Sequence, residues 1–114
     1  MRAEGILGRM DPHRLAEERS LALHRAVLAR LEGDPSVLER AQANVRAMLT
    51  DGRSTHYARA WAQLLAGPVS RLREALVADT EEARALRQAT PFAGVVGPRE
   101  RWEIWRRVRE QAGR

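Results

Sequence analysis

Three histidines and a scattering of carboxylates are the side chains with which this chain would have to perform acid–base or metal chemistry. His13, His24 and His56 share no metal-ligand spacing, and there is no cysteine to complete a soft donor set. His13 and Glu17 stand four apart, which on a helix suits a surface pair. His24 differs from the other two. It falls near the middle of a helical apolar arc, with Glu17 two turns earlier on the same side as its candidate partner, and no nucleophile accompanies it. A structural, hydrogen-bonded role is therefore expected for His24 and Glu17. The carboxylates are spread over expected solvent faces, so no acid/base pair stands out. No phosphate loop, dinucleotide fingerprint or zincin pattern occurs. No cofactor or metal is expected, and a small enzyme is the third-ranked function.

The remaining chemistry is recognition. Residues 86–108 hold the only Phe, two of the three Trp and two of the five Pro. At ~100° per residue, Trp102, Trp105, Arg101 and Arg109 share one face of a final helix, while Ile104 and Val108 lie further round. Arg101 and Arg109 each stand four residues from Trp105, within reach for guanidinium to stack on indole. Trp and Arg together make the composition of interface hot spots, so these four residues are the candidate partner-binding set. A competing arrangement has both Trp capping the core beside Phe92 with the Arg stems reaching outward. Between the two, Trp102 is expected to be the more buried and Trp105 the one at an interface.

All 20 basic residues are Arg. A GC-rich coding bias explains that choice more economically than phosphate binding, although the planar fork does suit phosphate. Residues 1–52 carry eight Arg and eight acidic residues; residues 53–114 carry twelve and seven, so the whole net charge of +5 lies in the second half. That asymmetry makes Arg71, Arg73 and Arg106 candidate nucleic-acid contacts. The breaks at Gly33, Gly52 and Gly67 do not fit the helix-turn-helix pattern in their flanking residues.

Helices must position all of these groups. Asp11-Pro12 and Asp34-Pro35 are N-cap and first-turn signals. The first helix should reach about Glu32 and bury Leu21, Leu23, Val27, Leu28 and Leu31. The second should end near Thr50, before Asp51-Gly52, and bury Val37, Leu38, Ala41, Val45, Met48 and Leu49. Ser54 or Thr55 caps a third, burying Tyr57, Trp61, Leu64 and Leu65. Gly67-Pro68 opens a fourth, with Val69, Leu72 and Leu76 inward. Asp79 and Glu82 resemble a capping box for a fifth, with Ala83 and Leu86 inward. Segment 90–97 should be irregular, with Phe92, Val95 and Val96 packed across the helices. Gly97-Pro98 starts the sixth. The expected fold is all-α: a compact bundle of five to six short helices in a single domain, residues 11–114, behind a frayed tail, residues 1–10. Met10 is a possible alternative start. No apolar run approaches the ~20 residues of a membrane span, and the first residues lack the core of a secretory signal, so cytoplasmic residence without membrane attachment is expected.

Two stretches resemble a known group. Asp11-Pro12-x-Arg14-Leu15-Ala16-Glu17-Glu18-Arg19-Ser20, and Pro91-Phe92-Ala93-Gly94 with Arg99-Glu100-Arg101-Trp102-Glu103-Ile104-Trp105-Arg106, are similar to those of small bacterial helical proteins associated with toxin–antitoxin-like gene pairs. The similarity runs from Met10 to about Val108. It implies a non-enzymatic, antitoxin-like protein that binds and neutralises a protein partner, a toxin enzyme, with no particular residue roles attached. A basic nucleic-acid-binding transcriptional regulator is the alternative, and a homo-oligomer is also open.

Overall fold

In the computed structural model, residues 11–113 are described; the expected tail, residues 1–10, lies outside them. Six helices and no strand account for 79% of the described residues. They are α1 Pro12–Leu31, α2 Pro35–Asp51, α3 Thr55–Ala66, α4 Val69–Val77, α5 Glu81–Gln88 and α6 Pro98–Ala112. No helix among the described residues is long and apolar enough to cross a membrane.

The proline-marked starts act as their chemistry dictates. The Asp11 carboxylate accepts the Arg14 N–H at 2.8 Å, and that of Asp34 accepts the Ser36 N–H at 3.0 Å, satisfying donors that the first turn leaves unpaired. Gly52 closes α2 at φ 72°, a left-handed conformation open to glycine at little cost. Two caps depart from expectation. Ser54 precedes α3 at φ 47° and makes no side-chain cap bond. α5 is capped by Thr80, whose hydroxyl accepts the Ala83 N–H at 3.1 Å, so the capping residue is one later than Asp79. Asp79 is instead drawn to Arg84, at 2.7 Å.

α1 is the hub, packing against α2, α4, α5 and α6. α2 and α3 form a hairpin, and α3, α4 and α5 pack mutually. The core is anchored by Trp61, which is fully buried, packs edge-on against Phe92 at 5.7 Å and donates its indole N–H to the Leu86 carbonyl at 2.9 Å. That single bond satisfies the only polar atom such a side chain brings inside. Val27, Val37, Ala41, Val45, Leu72, Leu76, Ala83 and Leu86 complete the buried set around it. Val69, expected inward, is 56% exposed, because it opens α4 before that helix reaches the core. Leu49 is also exposed, in the last turn of α2.

Segment 90–97 crosses the helices as an apolar plug, with Pro91, Phe92, Val95 and Val96 buried. Irregular backbone inside a core needs partners for its carbonyls. Side chains supply them: Asn44 donates to Pro91 at 2.8 Å, Arg40 to Gly94 at 3.2 Å, Arg30 to Val95 at 3.4 Å and Arg101 to Val96 at 3.4 Å. Several of the arginines therefore hold a loop in place.

Candidate functional site

α6 is the outlying helix. Among the helices it packs only on α1, with Ile104 and Val108 buried. Arg30 on α1 pairs with Glu100 at the start of α6. On ideal helical geometry the outward arc running from Arg101 through Trp105, Arg109, Trp102 and Arg106 to Arg99 spans about 160°. It holds no carboxylate; Glu100, Glu103 and Glu110 all fall on the rest of the circumference. Trp102 is 60% exposed and Trp105 36%. The expectation that Trp102 would be the buried one is thus corrected: the core face is centred on Ile104 and Val108, and Trp102 points further from it than Trp105 does.

The expected stacking partners are also replaced. Arg19 from α1, rather than Arg101 or Arg109, lies over the Trp105 ring at 5.2 Å, and Arg106 lies over Trp102 at 5.3 Å. The Nε of Arg19 is buried with no hydrogen-bond partner among the described residues, so the electron-rich indole face is its compensation. Arg101 instead turns toward the Val96 carbonyl. Arg109 is exposed on the same arc as the tryptophans.

Beside Trp105, a cleft of about 220 Å³ opens between α1, segment 90–97 and α6. Leu23, Val27, Phe92 and Val96 are among its walls, Arg101 is at its edge, and His24 and Thr90 also line it. His24 is buried and hydrogen-bonded through both ring nitrogens, to the Ser20 carbonyl at 2.7 Å and the Thr90 hydroxyl at 2.8 Å. A carbonyl only accepts, so Nδ1 carries the proton; Nε2 then accepts from Thr90, whose oxygen in turn accepts the Phe92 N–H at 3.1 Å. Burial pushes the His24 pKa below its ordinary value, against the opposing pull of the Ser20 bond, and the charge of Arg87 lowers it further. The neutral ring is the form that this burial favours.

Glu17 is not the partner of His24. It meets His13 at 3.3 Å and Arg84 at 3.7 Å, in a small recess between α1 and α5. The reason is direct: Ser20, one turn before His24, takes the ring nitrogen that Glu17 would have needed.

The three candidate nucleic-acid contacts are not brought into one set. Arg71 lines a groove between α3, α4 and α5; Arg73 is paired with Glu32 at 3.0 Å; Arg106 is paired with Glu110 at 3.5 Å. α4 and α6 do not touch. No cluster of three or more metal-ligating side chains occurs among the described residues.

Arg87 escaped the reading from sequence. It is 3% exposed, and its Nη1 points at the carbonyls of Ala75, Leu76 and Ala78, at the end of α4. Burial lowers its pKa, yet a guanidinium stays charged, so it acts as a cation on a helix C-terminus. The signal was there: Arg87 stands four after Ala83 and next to Leu86, on the apolar face of α5.

Comparison of the chain with protein-family models, with curated proteins and with solved structures finds no match in any of the three.

Proposed function

We propose that this chain is a non-enzymatic interaction protein, docking an acidic protein partner through the outward arc of α6. The observation that supports this most is the arc itself: two exposed tryptophans interleaved with four arginines and no carboxylate, on a helix that packs on one other among the described helices. Exposing Trp102 to water forgoes a large apolar burial, which a partner would recover. A second copy of the same face would set like charges against each other, so the charge pattern favours an acidic surface over self-association. The resemblance to helical proteins of toxin–antitoxin-like gene pairs adds the kind of partner: a toxin enzyme that the docked chain neutralises.

The test is co-expression with the product of an adjacent gene, followed by calorimetry on the purified pair. Trp105→Ala should weaken association by about 2 kcal/mol or more while the isolated chain stays folded, with only the modest loss of melting temperature that uncovering Arg19 brings. A variant that unfolds, or binds as wild type does, removes the proposal. Nucleic-acid binding is the second reading, favoured by the Trp/Arg interleaving, which also suits stacked bases. It would show as an affinity for oligonucleotides that falls steeply with salt.

A further inference from the structure

The cleft beside Trp105 has a property that bears on what could enter it. The polar side chains of His24 and Thr90 in its lining are already paired. Both nitrogens of His24 are engaged, and the Thr90 oxygen donates to one group and accepts from another. The carbonyls of Val95, Val96, Gly94 and Pro91 in the adjoining segment each receive a side-chain donor. A polar group buried against Leu23, Val27, Phe92 and Val96 would lose water with little in return, whereas an apolar group would not. The volume of about 220 Å³ exceeds that of apolar cavities known to take a benzene-sized guest, which are about 150 Å³. Trp105 and Arg101 line the cleft from α6, and the carboxylate-free arc of that helix continues from them.

Resting on the docking reading above, we infer that the cleft receives one large apolar side chain of the protein partner, Phe or Leu in character, carried in a segment whose flanking residues are acidic. The apolar anchor is matched to the apolar walls, and the flanking carboxylates to Arg109 and the outer donors of Arg101. A nucleobase is disfavoured by the same walls, since its hydrogen-bonding edge would be buried against Leu23, Val27, Phe92 and Val96.

The probe is a pair of synthetic acidic peptides, identical except for a central Phe or Ala, together with a single-stranded oligothymidylate. Each is titrated into the isotope-labelled full chain and followed by nuclear magnetic resonance. The Phe peptide should move the Trp105 indole N–H and the Ala93 and Gly94 amides, and bind at least about tenfold more tightly than the Ala peptide. Ala93 is exposed at the cleft and has no positive φ, so Ala93→Phe can fill the space from outside. That variant should abolish the Phe preference while its amide spectrum elsewhere stays unchanged. Trp102→Ala should weaken both peptides alike. Equal binding of the two peptides, with Trp102→Ala still weakening both, would overturn the cleft and leave the docking arc standing. No shift at any α6 signal would overturn both. Tighter binding of the oligonucleotide than of the Phe peptide at Trp105 would overturn the apolar-anchor assignment.

Discussion

Replacing Arg87 by Met keeps most of the stem volume and removes the guanidinium. Nη1 lies 3.0 Å from the Ala78 carbonyl, 3.3 Å from that of Leu76 and 3.4 Å from that of Ala75. One of these contacts is of ordinary length and two are long, so they do not count as three full bonds. A hydrogen bond from a charged donor contributes about 1.5–3 kcal/mol, and an orphaned buried acceptor costs a further ~1–3 kcal/mol. Against that stands the desolvation of the guanidinium, which the Met variant no longer bears. The balance gives a destabilisation of about 2–3 kcal/mol. Its natural assay is denaturant unfolding followed by circular dichroism, comparing midpoints at unchanged slope. Arg87→Lys, which keeps the charge near the C-terminus of α4 but lacks the fork, should recover part of the loss. A Met variant as stable as wild type, or more so, would mean that desolvation outweighs the carbonyl contacts, and the account of Arg87 as a helix-capping cation would fail.

The other expectations concern His24 and the core. His24→Leu should lower stability by about 1–3 kcal/mol at pH above 7, where both ring bonds are intact. Because burial holds the folded pKa of His24 below its ordinary value, the unfolded chain takes up the proton first as pH falls, and native stability drops from about pH 6.5 downward. The Leu variant lacks that loss, so the stability gap should narrow on acidification; a gap that widens would contradict the neutral, doubly bonded ring. Trp61→Phe should cost about 1–3 kcal/mol, through loss of the indole bond to the Leu86 carbonyl, which keeps only the Ala89 N–H, and through the space left by the smaller ring, measured as a lower unfolding midpoint; no change would show that the indole bond contributes nothing net.

The helices were legible in the sequence because their starts are chemical. Asp11-Pro12, Asp34-Pro35 and Gly97-Pro98 each bring a local capping or first-turn feature that tertiary packing had no reason to override. The plug was legible too, since Phe92, Val95 and Val96 are too apolar for a solvated loop. What escaped was which polar group pairs with which. Glu17 and His24 share a helix face, and periodicity cannot say that Ser20 and the distant Thr90 reach the ring first. Arg40, Arg30 and Arg101 look like surface charge until segment 90–97 is folded and its carbonyls need donors. On α6, the wheel assembled Trp102, Trp105, Arg101 and Arg109 on one side. It could not fix where α1 would lie against that wheel, and the buried centre fell on Ile104 and Val108, turning Trp102 outward.

The proposal stands on Trp102 and Trp105 serving recognition rather than folding. The double variant Trp102→Ala/Trp105→Ala tests this most directly when its thermal melting in isolation and its calorimetric affinity for the Phe-centred acidic peptide are measured on one preparation. The account predicts a fold that stays cooperative, with a stability loss of about 2 kcal/mol or less from uncovering Arg19, since Ile104 and Val108 still bury α6, and a loss of binding of about 2 kcal/mol or more. A variant that melts several kcal/mol early, or that binds the peptide as wild type does, would contradict it.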